Sequence, residues 1–508
     1  MRTFSLATLG GGVSRPPLIR RPWVQHGVTA VVALGVAKEI GLLKKLPPEI
    51  GVAVIPLTVV IYLFIREPKW PLIALVGATC FGLYRYGFRF GPLNVRATDL
   101  PYIFLVPWAL LLRRRHGSPS RNLIGQQYLA LFLGAVGFTL FVALVRTPDD
   151  AARLVVAYFR LFTTVSLVWI VPQVVTKHED VLFVLRALAL MITAELAFSL
   201  ARNPAGAAAD RLRGMNGPNA EGLLAVVLIV IALYAPVPKT RSAKVAMLAV
   251  GVPALFFSRS IGALTAMGVV FGVFGLKRWR HAHAARTSGL LRPARLIVLG
   301  FGLITLVSIV RPLDLPTSSY FKRSSAGSRV IVGAAGVKIF FTEPMFGVGW
   351  QRSSRPDIIA TRSLVEALQH DFPGYPASFF PVVGTTSITV HNAYVQVLAE
   401  TGLIGTAVFI GALVAVSRRG RKLLAELSGT EQVAARAVAI SIVACLVWLN
   451  DNPIFGAQPE TITLSLMLGL LASMAALHRR RVAEGDGTEV EAEAGAAEAA
   501  TASASVVA

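Results

Sequence analysis

The chain is poor in the residues that soluble chemistry usually draws on. Its 508 residues hold two cysteines, Cys80 and Cys445, each inside an apolar stretch, which excludes a disulfide framework and a thiolate metal site. Charged residues make up only 15%, and the 27 acids are outnumbered by 50 Lys and Arg. Motifs with a known mechanism are missing too. There is no HExxH, no zinc-spaced Cys/His cluster, no P-loop and no GxSxG elbow, which leaves a metal hydrolase, a nucleotide-driven pump and a serine hydrolase without support. Asp357, Glu366 and Asp371 show no close carboxylate pairing, so neither a metal nor another cofactor is expected.

What is abundant is apolar sequence. At 54% hydrophobic residues and a mean hydropathy of +0.63, the composition is that of a membrane protein. About fourteen runs have the length of a span, near 27–43, 51–65, 71–85, 100–112, 127–145, 155–172, 181–200, 220–236, 245–257, 261–276, 295–310, 394–416, 436–450 and 460–477. The fold class expected is therefore an all-α polytopic membrane protein of 12 to 14 transmembrane helices.

The basic residues sort by side. RRRHG at 113–117, KRWRHAHAAR at 277–286, RRGRK at 418–422 and HRRR at 478–481 fall in connections that share one side if both termini are cytoplasmic. This reading turns the net charge of +23 into a topological signal and removes nucleic acid as a partner. The N-terminal RTFSLATLGGGVSRPPLIRRP has no compact apolar core ending in a cleavage site, so the first span is expected to do the targeting.

The organisation expected is a cytoplasmic segment over 1–26, spans 1 to 11 over 27–310, a large extracytoplasmic loop over 311–393, and spans 12 to 14 over 394–477. A tail over 478–508 completes it, acidic and Ala-rich from Val482 and read as disordered. Within the loop, VIVGAAGVKIFF has helical apolar spacing with turn signals after it, which suggests a small folded cap with one or two helices on the outer leaflet.

Four stretches carry polar groups toward the expected outer face. HNAYVQVLAETGLIG, 391–405, puts His391, Asn392, Gln396 and Glu400 into the first turns of a membrane helix, where polar groups are costly without a task. His391 and Asn392 either cap the helix, with Gln396 and Glu400 bonding to neighbouring helices, or His391 takes a proton from a hydroxyl. RSSAGSRVIVGAAGVKIFFTEPMFGVGWQRS, 323–353, places Arg329 before a helix, with the small residues Gly333 and Gly336 on its side. FFSRSIGAL, 256–264, holds Arg259 between two serines in a turn. RLRGMNGPNAEGLL, 211–224, brings Arg211 and Arg213, with Asn219 as a candidate helix cap. Arginine is unusual on an outer surface unless it snorkels or binds an anion, and its fork suits phosphate oxygens. Inside the spans, Arg160, Arg186 and Glu195 either line a polar cavity or pair with other helices.

The His-Asn block, with an acidic residue ahead of a Gly-rich turn, resembles the O-antigen ligase and O-antigen polymerase superfamily. GSRV followed by EPMFGVGW, the SRS turn, and RLRG followed by PN occur in that family's order. The resemblance covers roughly residues 200 to 416, and by topology the whole membrane part. It implies an inverting, metal-independent glycosyltransferase of the GT-C type at the outer face of the plasma membrane. The donor would be a polyprenyl-diphosphate-linked glycan and the acceptor a glycan, lipid or protein. Carried over by motif, Arg259 and Arg211 or Arg213 would hold the diphosphate, Arg329 would be a loop ligand, and His391 would activate or orient the acceptor. Asn392, Gln396 and Glu400 would line the substrate. The chain departs from the family at Ser260, where many relatives have glycine, which puts the space in that turn in question. A transporter or flippase of lipid-linked glycan is the rival from another class. It expects function to survive loss of His391, and an internal repeat that the apolar pattern does not show. A cell-wall glycan polymerase of the shape, elongation and division type lacks its motifs here.

Overall fold

A computed structural model describes residues 62–90, 93–116, 123–202, 212, 214–272, 325–385, 387–454, 456 and 458–506. The expected spans at 27–43 and 295–310, most of 51–65, and Arg211 and Arg213 lie outside the described residues. The chain divides into two units, Met1–Trp70 and Pro71–Ala508. In the first, residues 62–66 are helical.

In the second unit, apolar runs become helices: α1 (Lys69–Cys80, which begins at the unit boundary), α2 (Leu100–His116), α3 (Gln126–Arg146), α4 (Ala151–Val174), α5 (His178–Arg202), α6 (Pro218–Tyr234), α7 (Arg241–Ser258) and α8 (Ile261–Val270). After the cap come α12 (Ala393–Glu426), α13 (Gly429–Trp448) and α14 (Pro459–Val506). Among the described residues, seven helices are long and apolar enough to cross a membrane: α3, α4, α5, α7, α12, α13 and Pro459–Ala483 of α14. Helices α1, α6 and α8 are apolar but shorter. Large apolar side chains such as Leu190 (71% exposed), Phe141 (63%) and Phe159 (61%) point away from the protein, as a lipid-facing surface requires. The chain is thus a mostly helical, multi-pass membrane protein.

Helix α6 is the centre of the bundle. Every residue from Ala220 to Ala232 is buried, and apart from Glu221 in its first turn this stretch carries no polar side chain; the helix packs on α7, α13, α8 and α5. Helices α14 and α4 form another close pair, as do α12 and α3.

Two expectations change. The run at 71–85 stops as a helix at Cys80, because Gly82 takes a left-handed φ of 66° and turns the chain. The chain then enters a hairpin, β1 (Gly87–Phe90) antiparallel to β2 (Leu93–Arg96), with Gly87 opposite Arg96 and Phe90 opposite Leu93. The tail read as disordered continues α14 to Val506. Its Ala and Glu residues, which give no core, are also strong helix formers.

Residues 325–392 form the cap with α9 (Ser325–Thr342), α10 (Pro356–Ile359) and α11 (Arg362–Asp371). It has its own core, in which Ile331, Ala335 and Ile339 of α9 meet Val348, Ile359, Val365, Leu368 and Phe380. Ala399 of α12 belongs to the same core. Two of the cap's carboxylates are engaged: Asp371 pairs with Lys338 at 2.7 Å, and Asp357 with Arg355 at 2.8 Å.

Candidate functional site

The polar connections meet at one end of the bundle. Asn216 Nδ2 donates to the carbonyl of Cys80, and Arg85 Nη2 donates to the carbonyl of Asn216 at 2.7 Å. Leu212 N–H donates to Phe257 O at 2.8 Å, and Met215 N–H to Glu195 Oε1 at 3.0 Å, while Ser199 Oγ donates to Glu195 Oε2 at 2.9 Å. Glu195, singled out as an intramembrane acid, therefore anchors the 212–217 loop. Leu212, the residue between Arg211 and Arg213, is tied to the turn that carries Arg259.

That turn is built by backbone geometry. Arg259 ends α7 at φ 47°, ψ 31°, a conformation costly for a residue with a Cβ, and is exposed. Ser260 caps α8, its Oγ accepting from Ala263 N–H at 3.3 Å. Room for Ser260 comes from Gly222 of α6, where an added Cβ would stand 2.8 Å from the Cβ of Ser260. The departure at Ser260 is thus accommodated by a glycine on the neighbouring helix.

The organising segment is one that sequence reasoning did not select: WLNDNPIFG, 448–456, between α13 and α14. Asp451 Oδ2 accepts from the Arg329 guanidinium and from Gly262 N–H, the latter at 2.9 Å. This one carboxylate joins the cap to the start of α8, just after the turn of Arg259 and Ser260. Arg329 itself lies within the first turns of α9 and not ahead of the helix as expected. The flanking asparagines bind too. Asn450 Oδ1 accepts from Asn392 Nδ2 at 3.1 Å, and Asn452 Oδ1 accepts from Asn219 Nδ2 at 3.1 Å. Asn219 therefore does not cap α6: Pro218 opens that helix, Gly217 takes the cap position, and Asn219 reaches across. The missed signal was a compact Asn-Asp-Asn cluster between two apolar runs, which is costly at a bundle end unless it has partners.

His391 stands where the cap enters α12. Asn392 is the N-cap, accepting from Tyr394 N–H at 3.0 Å and Val395 N–H at 3.1 Å. His391 is half-buried, and its Nδ1 is buried without a hydrogen-bond partner. Burial, then the Arg329 charge, pulls its pKa below the usual imidazole value, and Asp451 opposes them. A ring of this kind is neutral near pH 7 and able to take a proton. Gly336 of α9 allows the approach on this side: a Cβ there would meet Val395 Cγ1 at 2.6 Å, whereas Gly333 faces open space.

Gln396 and Glu400 are placed differently. They are 0% and 1% exposed. Gln396 Oε1 accepts from Ile454 N–H at 2.8 Å, and Glu400 Oε1 accepts from Ser353 Oγ at 2.5 Å. These bonds hold the cap and the 448–456 segment to α12 and leave neither side chain a surface for a ligand. Just beyond, Gly402 breaks α12 with φ 64°, ψ −163°. A Cβ there would meet Met345 C at 2.4 Å, and one at Gly347 would meet Glu400 C at 2.4 Å, so EPMFGVGW and AETG cross backbone to backbone. Val348 N–H to Ala399 O at 2.9 Å and Leu403 N–H to Pro344 O at 2.8 Å fasten the crossing.

Of the span residues, Arg186 is exposed on α5, while Arg160 lines a cavity of about 540 Å³. The structure thus brings together His391, Asn392, Arg329 and the Arg259 turn through the 448–456 segment and buries Gln396 and Glu400 behind them. Compared with known proteins, the chain matches no protein-family model and no curated sequence.

Proposed function

We propose that the protein is a membrane glycosyltransferase that moves or polymerises glycan from a polyprenyl-diphosphate-linked donor on the outer face of the plasma membrane, in the manner of the O-antigen ligases and polymerases. The observation that carries this reading is the meeting of Arg329, the Arg259 turn and His391 around Asp451 at one end of a membrane bundle. Diphosphate is a leaving group that needs positive charge more than a proton, and guanidinium groups supply that charge.

In this mechanism Arg259 and Arg329 hold the diphosphate oxygens, and Arg211 or Arg213 adds a third cation. The neutral His391 ring takes the proton of the acceptor hydroxyl as its oxygen attacks the anomeric carbon. The new glycosidic bond forms as the carbon–oxygen bond to the diphosphate breaks, and the polyprenyl diphosphate leaves as an anion. Asp451 acts as a positioning residue: it fixes Arg329 and keeps His391 from losing its basicity entirely to burial.

The test is complementation of cells deleted for the gene with wild type or His391→Ala at equal membrane levels, with surface glycan compared against lipid-linked precursor. Loss of transfer by roughly 10²-fold or more with accumulated precursor is expected. Transfer at the wild-type level would leave His391 a flank of the helix cap and favour a transporter of lipid-linked glycan.

A further inference from the structure

The segment that crosses α12 also runs down the side of α3. After Thr342 ends α9, Glu343 meets Arg146, the last residue of α3, accepting from two guanidinium nitrogens at 2.7 and 3.1 Å. The 344–349 strap then turns inward along the span. The Phe346 ring packs on Phe138 with centroids 5.4 Å apart, and a Cβ at Gly349 would meet Ala143 Cβ at 2.7 Å on the way back. Phe138 lies roughly 12 Å along the helix axis from Arg146. The strap therefore descends from an exposed ion pair to a depth of about two turns within a membrane-length helix, and returns.

Its side chains suit that depth. Met345 and Phe346 are 52% and 45% exposed. Isolated exposed apolar groups are ordinary on a water-facing loop, but these two extend a flank that already faces lipid. Phe138, which Phe346 touches, shares one helical face with the exposed Phe141 and Val145. Leu403 and Ile404 of α12, whose N–H groups donate to the Pro344 and Met345 carbonyls, are exposed as well.

The backbone meets the same constraint. Irregular main chain at membrane depth is tolerated where protein satisfies its polar groups. In a continuous helix the carbonyls of Ala399 and Glu400 would accept from the N–H groups of Leu403 and Ile404. The break at Gly402 parts these pairs, and the strap takes both sides: Val348 and Gly349 N–H donate to Ala399 and Glu400 at 2.9 and 3.1 Å, while Pro344 and Met345 accept from Leu403 and Ile404 at 2.8 and 3.4 Å. Pro344 brings no N–H of its own, and Gly347 N–H donates to Glu343 O at 2.9 Å.

We infer that the 344–349 strap is a re-entrant segment that inserts Met345 and Phe346 among the acyl chains of the leaflet on the cap side and so seats the cap in the bilayer. The inference is independent of the glycosyl-transfer reading. Full-length protein in phosphatidylcholine–phosphatidylglycerol liposomes would carry a nitroxide on Met345→Cys or Phe346→Cys. Phe141→Cys serves as the lipid-facing reference and His370→Cys, whose native side chain is 90% exposed on the cap, as the water-facing one. The unsubstituted protein, with Cys80 and Cys445 buried, gives the labelling blank. Power saturation with oxygen and with a water-soluble nickel chelate reads the surroundings of each label. At both strap sites oxygen should exceed nickel, as at Phe141, with the ratio inverted at His370. Nickel access at either strap site equal to that at His370 would overturn the inference. So would a label that neither reagent reaches, which would mean that protein covers the strap, and dipolar broadening between labels would then identify a second copy as the cover.

Discussion

Two polar clusters lie within three turns of each other on α12, and their surroundings give them opposite roles. The first, His391 with Arg329 and Asp451, is partly open: the Arg329–Asp451 side chains are 14% and 16% exposed, and the imidazole keeps an unpartnered nitrogen. The second, Gln396 and Glu400 with Ser353 and Ile454, is closed and bonded to protein. A saturated, water-free cluster holds structure, because each lost bond strands a buried partner. One with spare valence and access is where chemistry can happen.

Substitutions should separate the two. The largest effect on folding is expected at the crossing beneath the closed cluster: Gly402→Ala forces an unfavourable φ and a backbone clash, costing about 3 kcal/mol or more. Thermal unfolding of detergent-solubilised protein would show it, and a variant as stable as wild type would mean that the crossing is loose. Glu400→Ala should come next, about 2 kcal/mol by the same assay, from the stranded Ser353 hydroxyl. In the open cluster, stability should barely move while transfer collapses, with His391→Ala the extreme case.

Arg329→Gln sharpens the contrast through pH. Arg329 depresses the His391 pKa and Asp451 raises it, so removing the cation moves the pKa upward. The imidazole must then be deprotonated at a higher pH, and the acid limb of transfer should shift toward neutrality while the rate falls about tenfold or more. An unmoved acid limb would show that another group titrates in the rate. Smallest of all, Ser260→Ala removes the cap of α8 and should cost about 1 kcal/mol.

Long apolar helices were legible because apolar runs of membrane length have few other fates, and α3, α4, α5, α7, α12 and α14 begin within a few residues of the expected positions, whereas α13 starts at Gly429, ahead of the expected 436. Asn392 as a cap was legible from local chemistry. Helical spacing shows which face Gln396 and Glu400 share but not which neighbour covers it, so burial could not be read from the chain. Asp451 was hidden by distance, sixty positions after His391 in a connection that looked like punctuation. The hairpin at 87–96 fell in the connection between the expected spans at 71–85 and 100–112, where four-residue strands leave too short a pattern to read.

The break at Gly402 is also where the cap is sewn to α12. The 344–349 strap is hydrogen-bonded on both sides of it, to Ala399 and Glu400 before and to Leu403 and Ile404 after, and Ala399 shares the cap's core. A shift of the cap would therefore pull on the helix across its break, and the imidazole at the head of α12 would move with both.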